Sequence, residues 1–200
     1  MKLVLMTKST FFVEEDKILT TLFDEGLDNL HLHKPQTSPL YSERLLSLLP
    51  EDIYKKIVVH QHFYLKDEYG LAGIHLDDYS TTVPKDYHGR ISRTCSDLGL
   101  LKDMRKNSSY VFLNNIFKKN DSLTQSFTMK DIENAASNGL INKYTYVLGG
   151  ITIDNISICK ELGFGGVVIC EDLWDRFDIH SQNDYKNLIE YYSKLLNKAG

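Results

Sequence analysis

The strongest constraint in this sequence is an alternation. Eight short aliphatic, β-branched or aromatic runs recur along the chain, at residues 3–7, 30–33, 56–60, 72–76, 90–94, 110–113, 144–148 and 165–170. Segments with a helical period separate most of them. Residues 13–25 put Ile18, Leu19, Leu22 and Phe23 on one face and stop at Gly26. Ser42 is placed to cap a helix carrying Leu45, Leu46, Leu48 and Leu49, which Pro50 either stops or follows with a second piece. Further helices are expected over 64–69, 98–105, 129–137, 154–162 and 185–196, with a mixed polar loop over 116–127. Residues 77–88 have no helical period, so the helix after strand four is degenerate. Strand–helix alternation repeated eight times predicts a single α/β domain over 1–200, a small (β/α)8 TIM barrel. A doubly wound sheet competes, but it would want fewer strands and a glycine-rich first turn, where this chain has Lys8-Ser9-Thr10-Phe11.

Charge and composition narrow the function. The formal charge is -4 and no Lys/Arg run occurs, which argues against nucleic acid as a partner. No apolar segment is long enough to span a bilayer, and Met1-Lys-Leu-Val-Leu-Met reads as a first strand, not a signal peptide. Cys95, Cys159 and Cys170 are widely spaced, as reduced core residues in a cytoplasmic protein would be. Whether the chain forms a homo-oligomer is left open.

Ligands of such barrels sit at the C-terminal ends of the strands, and phosphate often sits after strands seven and eight. Tyr144-Thr-Tyr-Val-Leu-Gly-Gly-Ile151 puts Gly149 and Gly150 after strand seven, with Thr152, Asp154 and Asn155 opening the next helix. Glu171 and Asp172 follow strand eight. The histidines gather elsewhere. His31 and His33 share a face of strand two, His60 and His62 end strand three, and His75 ends strand four, with Asp77 and Asp78 just beyond. These imidazoles read equally as hydrogen-bonded fillers of the mouth, an anion site, or the ligands of a metal-dependent hydrolase. Lys34 is either a solvated loop lysine or a phosphate contact, Ser92 a satisfied interior hydroxyl or a ligand donor, and Asn114 a turn residue or an amide at the mouth. Trp174 is expected to pack against the barrel end.

The order of motifs resembles the thiamin phosphate synthase/TenI family of (β/α)8 barrels. The resemblance is carried by Leu30-His-Leu-His-Lys34, Gly73-Ile-His-Leu76, Arg90-Ile-Ser92, Tyr110-Val-Phe-Leu113, Val147-Leu-Gly-Gly-Ile151 and Gly166-Val-Val-Ile169. It implies a transferase that joins a pyrimidine diphosphate to thiazole phosphate and releases pyrophosphate with magnesium, or a TenI-like thiazole-phosphate binder or tautomerase. On that resemblance Gly149, Gly150 and Gly166 belong to the phosphate side, and Ser92 to pyrimidine contact. His31, His60, Gln61, His75 and Asn114 line the substrate, His33 and Lys34 stand where cations are wanted, and Asp77 and Asp78 are magnesium candidates. The family's paired Asn-Asp falls on His60-Gln61, and the TenI catalytic histidine on Thr94.

Overall fold

The computed structural model describes residues 1–78, 80–117, 127–176, 178 and 182–200. Eight parallel strands close on themselves in sequence order: β1 (Lys2–Met6), β2 (Leu30–Leu32), β3 (Ile57–Val59), β4 (Gly73–Leu76), β5 (Arg90–Cys95), β6 (Tyr110–Leu113), β7 (Thr145–Val147) and β8 (Gly166–Ile169). Leu3 opposite Val167 closes the ring. The expected barrel is therefore the observed one.

Strand alternation separates two cores. Leu3, Leu5, Leu30, Leu32, Ile57, Val59, Ile74, Val111 and Val167 face outward and pack under the helices. Val4, Met6, Phe112 and Val168 form a second cluster inside the barrel. Register then sets which interior residues are neighbours: Met6 pairs with His31, His31 with Val58, His75 with Ser92, and Phe112 with Thr94 and Tyr146.

The helices are α1 (Glu15–Asp24), α2 (Pro39–Leu48), α3 (Leu65–Glu68), α4 (Leu98–Lys106), α5 (Met129–Ser137), α6 (Ile156–Glu161), α7 (Glu171–Trp174) and α8 (Gln182–Ala199). Asp97 caps α4 by accepting from the Gly99 N–H, and Thr128 with Asp131 makes a capping box on α5. Helix α2 starts earlier than expected. Ser38 precedes it, Pro39 occupies its first turn, and Ser42 is buried inside it instead of capping it. The second piece that Pro50 could start is a 3₁₀ turn over Glu51–Lys56; the four-residue α7 was not expected, because it is too short to show a period. Residues 77–89 contain no helix among the described residues, as expected. The 116–127 loop expectation falls mainly on 118–126, outside the described residues.

Helix α8 runs further than its apolar face suggested and ties the ends of the chain, with the Met1 ammonium donating to the Ala199 carbonyl at 2.8 Å. Trp174 is buried and donates its indole N–H to the Met6 carbonyl at 2.7 Å, fastening α7 to β1 as anticipated. Among the described residues no helix is long and apolar enough to cross a membrane.

Candidate functional site

The C-terminal ends of the strands open into two adjoining cavities. One, of about 280 Å³, is lined by Thr7, Lys8, Ser9, His33, Asn114, Gly149, Cys170, Glu171 and Trp174 among others. The second, of about 430 Å³, lies between the β7 and β8 loops against Gly150, Ile151, Thr152, Glu171, Asp172, Asp175 and Arg176.

Gly149 (φ 94°) and Gly150 (φ 71°) both take left-handed backbone conformations that a side chain would strain. A Cβ on Gly149 would also lie 3.2 Å from Asn114 Oδ1 and 3.3 Å from the Asn115 nitrogen. Asn155 locks the turn, donating to the Gly150 carbonyl at 2.9 Å and accepting from the Thr152 N–H at 3.0 Å. Among the described residues no acceptor takes the N–H groups of Gly149, Gly150 or Ile151. Two cations beside this turn, Lys8 and Arg176, face three carboxylates, Glu171, Asp172 and Asp175. Lys8 Nζ sits 2.9 Å from Asp175 Oδ1, and Arg176 Nη2 sits 2.6 Å from Asp172 Oδ1 while its guanidinium covers the Tyr191 ring. Glu171 is exposed at the rim, so its carboxylate keeps its water.

The opposite side of the mouth is built from side chains. Asp77 Oδ1 lies 2.5 Å from His60 Nδ1, His60 Nε2 lies 2.8 Å from His31 Nδ1, and His31 Nε2 lies 2.7 Å from the Tyr110 hydroxyl. Asn29 donates to that hydroxyl at 3.2 Å. With both imidazoles neutral, an amide donor at one end and a carboxylate acceptor at the other fix every link: Asn29 to Tyr110 to His31 to His60 to Asp77. Burial holds His31 and His75 well below the ordinary histidine value, with His60 adding to the effect. Burial also lowers His33, with His60 again next in weight, and pushes Tyr110 up to about 12. His75 is engaged on both nitrogens, by Ser92 Oγ and Thr94 Oγ1, each at 2.8 Å. Its ring stacks on His60 at a centroid distance of 4.2 Å. His33 stands 4.7 Å from the His60 ring, half-buried, and its ring nitrogens bond to no described residue.

Several sequence-predicted residues lie elsewhere. Lys34 is only 1% exposed, and its ammonium is bound to Glu15 Oε1 at 2.5 Å and the Thr10 carbonyl at 3.0 Å, so it offers no cation to the mouth. Ser92 lies one strand repeat below Thr94 and lines a third cavity of about 270 Å³ at the barrel floor, with Asn29, Arg90, Tyr110 and Tyr146. Gly166 is also remote from the phosphate side. A Cβ there would lie 2.7 Å from the Tyr146 ring, so the glycine seats that ring, which stacks on Tyr110 with planes 3° apart. Asp78 accepts from the Ser80 hydroxyl at 2.5 Å and the Thr81 N–H at 2.9 Å, capping a turn. His62 has positive φ and donates to the Thr37 carbonyl, outside the cluster. His31, His33, His60, Gln61, His75, Asp77, Asn114, Gly149 and Gly150 do gather at or just below the mouth. Arg176, Lys8 and Tyr110 were not anticipated as site residues; a loop after the last strand carries no periodic signal.

Two groups have the donors to hold a metal ion: His31, His60 and His75, and His33, His60 and Asp77. The magnesium implied by the family resemblance does not fit either. Magnesium wants oxygen ligands in octahedral array, whereas each group is mainly imidazole nitrogen, and Asp78 is spent on its turn.

No family model and no curated protein sequence matches this chain. Among solved structures it is similar to a thiamine phosphate pyrophosphorylase from Bacteroides thetaiotaomicron, with 43% identity and a TM-score of 0.89 over 100% of this chain and 98% of the other. A thiamine phosphate pyrophosphorylase from Pyrococcus furiosus shares 13% identity with a TM-score of 0.70, covering 100% and 97% of the two chains. A mutant tryptophan synthase alpha-subunit from Pyrococcus furiosus shares 12% with a TM-score of 0.67, covering 98% and 97%. Those two likenesses speak for the barrel alone. The first speaks for descent, and the chain belongs to the thiamine phosphate pyrophosphorylase family.

Proposed function

We propose that the mouth of this barrel binds a phosphorylated thiazole or thiamin phosphate, with the phosphate on the β7 and β8 loops. The observation that carries this reading is the run of three N–H groups at Gly149, Gly150 and Ile151 without an acceptor among the described residues, beside a cavity. Backbone N–H groups in a left-handed turn suit an anion. Arg176, in the same cavity and with its own side chain 44% exposed, supplies a charge that can reach a phosphate, while Tyr191 still donates to the buried Asp172 carboxylate. Thermal denaturation with added thiamin phosphate tests it. The melting temperature should climb with ligand concentration, and a flat response up to millimolar ligand contradicts the reading.

A second reading is the full synthase reaction, favoured by the 43% identical relative named for that activity. Expelling pyrophosphate from a pyrimidine diphosphate requires the departing charge to be neutralised. Lys34 is tied to Glu15, and burial disfavours the charged form of His33, so the histidine side supplies little positive charge itself. Binding is thus better equipped than turnover. Incubation with both substrates, with magnesium and separately with zinc, decides between them. Thiamin phosphate formed above the no-enzyme rate establishes the synthase; its absence under both metals leaves a binder.

A further inference from the structure

Magnesium does not suit the donors on the histidine side of the mouth, and that misfit has content. Of the two groups of candidate ligands, the inner one is already spent. His31 uses one nitrogen on His60 and the other on Tyr110, and His75 uses both on Ser92 and Thr94. A metal there would break several buried hydrogen bonds and leave their partners unpaired. The outer group differs. His33 has both ring nitrogens free of described partners, Asp77 is 41% exposed on its side chain, and His60 joins them from below. Their candidate ligand atoms lie within 4.8 Å of one another. Tetrahedral zinc spaces its ligands about 3.4 Å apart, given bonds of about 2.0–2.1 Å, so modest side-chain adjustment closes the set.

We propose that His33, His60 and Asp77 form a site for a divalent transition metal, zinc first, in place of magnesium. Two imidazoles and a carboxylate match zinc by donor type and by count, and leave a coordination position for water or a ligand oxygen. His33 also lines the cavity it shares with Thr7, Ser9 and Asn114. The supporting contacts are already in place. Gln61 donates to the second oxygen of Asp77 at 3.2 Å, and His31 backs His60 from the side away from Asp77.

Metal binding at His60 Nδ1 has a consequence along the chain of hydrogen bonds. The proton on that nitrogen leaves to solvent at the mouth. His31 Nδ1 passes its proton to His60 Nε2, and Tyr110 passes its hydroxyl proton to His31 Nε2. Tyr110 regains a proton from solvent in the floor cavity that it lines. Every proton moves one link, the net charge of the chain is unchanged, and both imidazoles switch tautomer. The site does not depend on what the phosphate loops bind.

Calorimetric titration of the untagged full chain with zinc chloride and, separately, magnesium chloride tests the site, together with ¹⁵N NMR of the imidazoles. Zinc is expected to bind one per chain and at least 100-fold more tightly than magnesium. His33→Ala and Asp77→Ala should each weaken zinc at least tenfold, while His75→Gln leaves it within threefold. His60 and His31 should change from Nδ1–H to Nε2–H on zinc addition. Equal affinity for the two metals, absence of zinc binding, unchanged tautomers, or loss of zinc in His75→Gln but not in His33→Ala would each overturn the proposal. His33→Gln is the replacement should the alanine variant melt early, and the NMR readout on the unmutated chain stands without any variant.

Discussion

The two sides of the barrel mouth hold polar groups in opposite ways. On the β7–β8 side the groups are backbone N–H atoms, freed by two left-handed glycines and flanked by two ion pairs, Lys8 with Asp175 and Arg176 with the buried Asp172 carboxylate. On the β2–β4 side the buried imidazoles of His31, His60 and His75 are each fixed by a named partner, in a network running from Asp77 at the mouth to Tyr110 near the floor, and the His33 ring stands beside them bonded to no described residue. A backbone site needs no side chain and tolerates changes around it. A side-chain network fails when one member goes, because its neighbours are left buried and unpaired. On the proposed function, this contrast would let the backbone turn serve as an anion site whatever side chains stand across the mouth.

The contrast can be broken by substitution. The largest effect is expected for His31→Leu, which orphans His60 Nε2 and the Tyr110 hydroxyl together. It should lower unfolding stability in denaturant titration by about 3 kcal/mol, within the range for unpaired buried groups. Gly149→Val acts on the other side. Strain at φ 94° and contact with Asn114 should cost about 2 kcal/mol of stability, and thiamin phosphate affinity should fall at least tenfold by calorimetry. Arg176→Ala weighs more on affinity than on stability. It should weaken thiamin phosphate about tenfold, the scale of one charge-assisted hydrogen bond, while stability falls by about 1 kcal/mol because the buried Asp172 carboxylate loses its charged partner but keeps the Tyr191 hydroxyl.

The smallest effect concerns the pair behind the histidine side. Burial raises the Glu15 carboxyl to about 7 even beside Lys34, whose own value burial lowers. A folded-state value above the unfolded one means the folded chain holds a proton that the unfolded chain has released. Glu15 therefore contributes stability that is full below about pH 4.5 and is lost as pH rises through about 7. Glu15→Gln should flatten that part of the melting-temperature profile between pH 5 and 7. An unchanged slope would remove Glu15 as its source.

Much of this was legible in the sequence for a physical reason. Strands buried on both faces need apolar runs, which made most of the eight visible, whereas Arg90–Cys95, with two arginines and only partly buried, follows from its place in the alternation; alternation within a strand put His31 inside the barrel opposite Leu30 and Leu32. The same reasoning located Gly149 and Gly150 by counting strands. What failed was information held in another element. Lys34 sits at a strand end, but its partner Glu15 belongs to α1, and nothing local shows the pairing. Gly166 reads as room for a ligand and is room for the Tyr146 ring. Ser92 and Thr94 face the same way, and two residues of strand, about 6.6 Å of rise, decide which is nearer the mouth. Arg176 lies in a loop whose placement only the folded chain reveals.

The central claim is that the glycine turn, not the histidine network, holds phosphate. A crystal structure of the chain soaked with thiamin phosphate tests it directly. The account predicts phosphate oxygens at hydrogen-bond distance, about 2.7–3.2 Å, from the Gly149 and Gly150 nitrogens. Phosphate seated instead on His33 and His60, with the glycine turn empty, would contradict it.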